Sequence, residues 1–131
     1  MIHHYFKIFV MKKTFDAFGY ALAGLRNAIR NERNFRTELC LAALAFAAGV
    51  YFEITKIEWL VIFINTGAVL SAELFNTAIE KMCDAFCPDN NPQIKIVKDG
   101  AAAAVLICAL AAAVCGAIIF LPYFLQLLKI L

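Results

Sequence analysis

Apolar residues first recur at helical steps and then gather into three long runs almost free of charge. From Thr14 to Arg30, Phe15, Phe18, Leu22, Leu25 and Ile29 follow one another at intervals of three and four, beside a second stripe of small residues at Ala17, Ala21, Gly24 and Ala28. The segment is too short and too charged to cross a bilayer. It predicts an amphipathic helix over 14–30 lying in the membrane interface, its small stripe open to close helix contact. Residues 1–13 mix apolar side chains with His3, His4, Lys7, Lys12 and Lys13 without a period. The first ten read as a loosely held extension, and the adjacent histidines, without further ligands, make no metal site.

The first apolar run, Leu39 to Phe52, spans only if its helix extends into the flanks. A short link, 53–58, leads to Trp59, a residue typical of the membrane interface, and to a second run ending near Ile79. The third runs from Gly100 to Leu128 and is broken near its end by Pro122. Between the second and third, Cys87-Pro88-Asp89-Asn90-Asn91-Pro92 cannot continue a helix, and Asn91-Pro92 suits the cap and first position of the next. The pattern predicts an all-α membrane protein, one domain over 1–131, with a surface helix and three transmembrane helices contained in about 34–52, 58–86 and 92–121.

Composition agrees. Of 131 residues, 63% are apolar and 17% charged, with a mean hydropathy of +0.77, far from a soluble average. A net charge of +2, with twelve scattered Lys and Arg offset by ten acids, argues against nucleic acid as a partner. The five cysteines form neither C-x-x-C pairs nor a disulfide framework and read as small apolar filler. Seven basic residues precede the first run, one lies in the 53–58 link, three lie between Lys81 and Lys98, and one is near the C-terminus. That asymmetry predicts a multi-pass protein with the N-terminal segment and the 81–99 connection on the cytoplasmic side and the 53–58 link facing outward.

Charge inside the apolar pattern is where chemistry is expected. Ala72-Glu73-Leu74-Phe75-Asn76-Thr77-Ala78-Ile79-Glu80 ends the second run with two carboxylates roughly 10 Å apart along one helix face. An acid buried in an apolar span is costly and marks a functional site by default. Upstream, the polar block Asn31 to Glu38 carries Arg33 and Arg36 as candidate interfacial anchors, whereas Glu32 and Glu38 do nothing for orientation and point to a surface site, with simple solvation as the alternative. Lys95 and Lys98 near the start of the third helix offer positive charge to an anion. Asp99, one turn from Lys95, could equally just pair with it.

The order Glu32-x-x-x-Arg36, then Glu73-Leu-Phe-Asn76-Thr-Ala-Ile-Glu80-x-x-x-Asp84, then Lys98-Asp99 ahead of a third span rich in small residues, resembles the small prokaryotic diacylglycerol kinase family, which includes undecaprenol kinases. The likeness covers roughly Phe18 to Pro122. It implies a homotrimer with active sites shared between subunits, ATP as phosphate donor with Mg2+, and a membrane lipid alcohol as acceptor: diacylglycerol first, undecaprenol as the alternative. It further implies Glu73 as the general base, Glu32 and Glu80 as magnesium ligands, and Asn76 in support. Lys98, Asp99, Tyr20, Lys13 and the Asp89-Asn90-Asn91 connection would contact the nucleotide, and Arg36 and Glu38 would line the lipid access.

The chemistry suits those roles: alcohol attack on a γ-phosphate needs a positioned base, a divalent ion and positive charge, and no glycine-rich phosphate loop is present. Some positions depart from the family pattern. Ala21 and Ala23 stand where its best-known members carry Ser and Lys, and Lys13 stands where an arginine is often found, replacing a two-pronged phosphate grip by a point charge. Small residues at Ala101 to Ala104, Ala109 to Ala113 and Gly116 would permit the close helix approach of a trimer. A reading from another class, a small transporter with Glu73 as proton relay, leaves Lys98-Asp99 and the cytoplasmic acids unexplained.

Overall fold

The computed structural model describes residues 2–87 and 91–130, with side chains over 16–87 and 91–129. The described residues form four α-helices and no strand: α1 (Ile2–Asn31), α2 (Arg33–Tyr51), α3 (Lys56–Phe86) and α4 (Pro92–Ile130). They divide into two units, Met1–Arg33 and Asn34–Leu131.

In the first unit α1 begins at Ile2, ahead of the Thr14 start that the amphipathic pattern suggests and across the stretch read as a loose extension. No Gly or Pro interrupts residues 2–18, so nothing in that stretch ends a helix once begun.

The second unit begins with α2, whose first turns hold Arg36 and Glu38, leaving an apolar stretch of about 20 Å from Leu39 to Tyr51. It ends in a Schellman turn. The Ile54 N–H donates to the Gly49 carbonyl at 3.2 Å and the Glu53 N–H to the Val50 carbonyl at 3.3 Å. Glu53 takes the left-handed conformation this turn requires, at φ 51°. The turn folds Ile54 back so that a Cβ on Gly49 would lie 3.0 Å from its Cδ1 and 2.8 Å from Cη2 of Trp59. α3 then starts with a capping box: the Thr55 side chain accepts from the Glu58 N–H, and the Glu58 carboxylate accepts from the Thr55 N–H at 2.7 Å. Glu58, read from the sequence as part of the link, is therefore in the first turn of α3.

α3 and α4 pack along one another. At the 51–59 end an apolar cluster forms around Ile54, Ile62 and Ile119, joined by Phe46, Phe52, Trp59 and Phe120. Phe46 stacks on Trp59 with ring centres 5.7 Å apart. α4 runs unbroken through Pro122 to Ile130, where the sequence pattern suggested a break. A proline removes one backbone donor without ending a helix when neighbouring bonds hold it, as is tolerated in membrane helices.

Among the described residues, α3 and α4 are long and apolar enough to cross a membrane. Only 6% of the most apolar window of α4 is buried within the chain. A core helix of a soluble protein would be largely covered, so this surface needs an apolar surrounding.

Candidate functional site

One stripe of α3 carries most of the predicted chemistry. Asn76, Glu80 and Asp84 follow at steps of four, and Glu73 precedes Asn76 by three, so all four share a face. Glu73 is 3% exposed and Asn76 6%, the buried polar residues of the described chain. The Asn76 amide donates through Nδ2 to Oε1 of Glu80 at 3.2 Å. A carboxylate only accepts, so the amide must turn its NH2 to Glu80 and its oxygen away. That Oδ1 is buried with no hydrogen-bond partner. An orphaned acceptor of this kind is expensive unless a donor or a cation meets it when the site is filled.

α4 meets the Asp84 end of this stripe. Lys98 Nζ donates to Oδ1 of Asp84 at 2.8 Å, joining the two helices. Lys98 precedes the apolar run that starts at Gly100, and Asp84 raises its pKa, with a smaller contribution from Glu80. Asp99 turns elsewhere: it accepts from Lys95 Nζ at 2.6 Å along its own helix, both side chains well exposed. Lys98 and Asp99, adjacent in sequence, thus have different partners. Asp84, which the sequence reading gave no role, is the one that reaches Lys98; the signal for it was its position one turn beyond Glu80.

Asn91 caps α4, its Oδ1 accepting from the Gln93 N–H at 2.9 Å. Asp89, Asn90 and the Lys13 side chain, all expected to touch nucleotide, lie outside the described residues. In the first unit Tyr20 is exposed, Glu32 is half-buried with its N–H on the Ala28 carbonyl at 2.9 Å, and Asn31 donates to Asn27 at 2.6 Å. Arg36, on α2, is exposed. Among the described residues no three His, Cys, Asp or Glu side chains cluster as a metal site.

A cavity of about 330 Å³ opens between α2, α3 and α4. Its walls are mostly apolar, with Ala42, Ala112 and Gly116 leaving the room, Asn65 and Thr66 supplying polarity, and Glu38 among the lining residues. Asn65 spends its amide on the Val61 carbonyl of its own helix at 2.9 Å. Glu38 lies just before the apolar run of α2, and burial pushes its carboxyl above the ordinary carboxylate range. Ala109, Ala112, Ala113 and Gly116, which the sequence offered as a contact stripe between copies, line this cavity in their own chain.

A sequence model of the family described as prokaryotic diacylglycerol kinase matches residues 19–120. The chain is 37% identical over 112 residues to an undecaprenol kinase of Bacillus subtilis, covering 86% of this chain and 91% of that protein. It is 34% identical over 113 residues to a diacylglycerol kinase of Synechocystis, covering 86% of this chain and 65% of that protein. It is also 30% identical over 108 residues to a diacylglycerol kinase of Escherichia coli K12, covering 82% and 88%.

Proposed function

The chain belongs to the prokaryotic diacylglycerol kinase family, and from that premise we propose that it transfers the γ-phosphate of ATP to the hydroxyl of a membrane lipid alcohol. The observation that carries the site assignment is the stripe of α3: a buried carboxylate, a buried amide with an orphaned oxygen, and a second carboxylate bound by that amide.

Glu73 is the base. It takes the proton from the lipid hydroxyl as that oxygen forms its bond to the γ-phosphorus, and the bond from phosphorus to the bridging oxygen breaks to release ADP. Burial of Glu73 within the apolar part of α3 suits a substrate that arrives without leaving the bilayer. Asn76 orients the Glu80 carboxylate. Glu32 and Glu80 are the residues we assign to magnesium, and carboxylate oxygens, with the orphaned amide oxygen beside one of them, are the hard donors that ion takes. When bound, the ion neutralises charge on the phosphate oxygens. Lys98 supplies positive charge to the same phosphates, while Tyr20, Lys13, Asp99 and the 89–91 connection complete the nucleotide contacts.

The cavity between α2, α3 and α4 receives apolar chain of the acceptor, with Arg36 and Glu38 at the access. Diacylglycerol is the acceptor that the family name suggests; undecaprenol is a second reading, favoured by the likeness to the Bacillus subtilis enzyme over nearly its whole length. α2 and its flanks make a third membrane crossing beside α3 and α4, and the active form is a homotrimer with its nucleotide sites on the cytoplasmic side.

Purified protein incubated with ATP, magnesium and each lipid separately tests this. Phosphorylated lipid is the expected product, and the larger specificity constant identifies the acceptor. Glu73→Gln should lose at least about a hundredfold in turnover while keeping its helical content and thermal midpoint. Full activity in that variant would remove Glu73 as the base, and no lipid phosphorylation by the wild type would favour transport instead.

A further inference from the structure

We propose that Asp84 is a positioning residue for nucleotide binding, holding the Lys98 ammonium where the phosphates of ATP meet it. The inference rests on the reading of the chain as an ATP-dependent kinase with Lys98 at the phosphates, and goes beyond it by giving Asp84 a role.

Two lysines stand near the start of α4, and the structure treats them differently. Lys95 is 75% exposed and tied to Asp99 on its own helix, an arrangement that fixes nothing outside α4. Lys98 is 34% exposed and reaches across to α3, where Asp84 holds it at 2.8 Å. Asp84 stands one turn beyond Glu80, so two bonded pairs, Asn76 with Glu80 and Lys98 with Asp84, follow one another along the same face from the buried end of α3 to the start of α4. Glu80 also acts on the Lys98 charge through space.

A lysine side chain is a point charge on a flexible four-carbon stem, and holding it in place before ligand arrives reduces the ordering cost of binding. The ammonium has three donors. Asp84 accepts one, leaving two for phosphate oxygens. Asp84 itself is 68% exposed and is an acid, so it repels phosphate directly, and the contact through which it can favour nucleotide here is the one it makes to Lys98. A purely structural staple between α3 and α4 is the competing role, and the two differ in which polarity of the pair is acceptable.

The test measures equilibrium binding of a non-hydrolysable ATP analogue, KM for ATP and for the lipid alcohol, and thermal midpoint, all in the full-length protein. The variants are Asp84→Ala, Asp84→Asn, and the charge exchange Asp84→Lys with Lys98→Asp. Asp84→Ala should weaken analogue binding and raise KM for ATP about fivefold, the upper range for an exposed ion pair, without moving KM for the lipid. Asp84→Asn keeps an oxygen to accept from Lys98 and should recover most of that loss. The exchanged pair should restore the midpoint but not nucleotide binding. Unchanged nucleotide binding in both Asp84→Ala and Asp84→Asn would overturn the proposal, as would full recovery of binding in the exchanged pair. Wild-type protein that binds no analogue would instead overturn the kinase reading, and this proposal with it. Should Asp84→Ala not fold, Asp84→Ser, whose hydroxyl is too short to hold Lys98, takes its place under the same criterion.

Discussion

Tyr123 on α4 donates its hydroxyl to the Glu58 carboxylate on α3 at 3.0 Å, across 65 positions of sequence. The same oxygen accepts from the N–H and hydroxyl of Thr55, so the start of α3 is capped and tied to α4 through one atom. Tyr123→Phe removes the tie and leaves the cap. It should lower the thermal midpoint in detergent by a few degrees while leaving KM for ATP unchanged, since the site on α3 lies at the other end. An unaltered midpoint would mean that the aromatic packing of Tyr123 on Phe52, with ring centres 5.6 Å apart, carries the contact alone.

The same carboxylate makes stability depend on pH. The Thr55 backbone N–H first, then the Thr55 hydroxyl, hold the Glu58 carboxyl below the ordinary carboxylate range. A group whose folded pKa is lowered contributes stability that is present above its unfolded value and is lost as pH falls through the folded one. The wild-type midpoint should therefore fall on going from about pH 5 to about pH 3. Glu58→Gln keeps the cap and an acceptor for Tyr123 but does not titrate, so its midpoint should fall less over that window. Equal slopes would show that other carboxylates dominate the acid response.

Gly49 is the close-packed point of the turn between α2 and α3. Alanine there would gain about 1 kcal/mol of helix propensity. Its Cβ would also meet Trp59 at 2.8 Å and Ile54 at 3.0 Å, and overpacking of this kind costs about 1–3 kcal/mol. The clash should win, and Gly49→Ala should unfold at lower temperature. Trp59→Leu makes room, so the double variant should be more stable than the sum of the two single changes predicts. Strict additivity would show that Trp59 had already moved aside.

What the sequence disclosed was the local part of the fold. The start of α4 was legible because Asn91-Pro92 is self-contained: the Asn91 side chain caps the N–H two residues on. Thr55-x-x-Glu58 carried the capping box openly, although its charges made it look like a link. Lys95 and Asp99 could be paired from i,i+4 spacing alone. The Lys98 partner could not, since Asp84 is 14 positions away on another helix and only the packing of α3 on α4 brings it near. The cavity was hidden for the same reason. Small residues on α4 look alike whether they face a second copy or a space within their own chain.

That space supplies a test of the acceptor's path. Ala112→Leu would put three further carbons into a volume of about 330 Å³. If hydrocarbon of the acceptor lies there, the specificity constant for the lipid should fall about tenfold, and analogue binding should stay unchanged. A variant that keeps both wild-type values would place the acceptor outside this cavity.

The metal assignment makes the most discriminating prediction. Glu32→Gln and Glu80→Gln each keep shape and remove a charge, so each should shift the magnesium titration of activity upward by about tenfold or more. Asn76 gives Glu80 a second readout. Its Nδ2 is bound to Oε1 of Glu80, so Asn76→Leu, which frees that carboxylate, should move the titration in the same direction by a smaller factor. Two residues that hold one ion do not act independently. The double variant Glu32→Gln with Glu80→Gln should therefore require little more magnesium than the worse single variant. Multiplied requirements would instead assign the two carboxylates to separate ions. An unmoved titration in both singles would take magnesium away from this pair altogether.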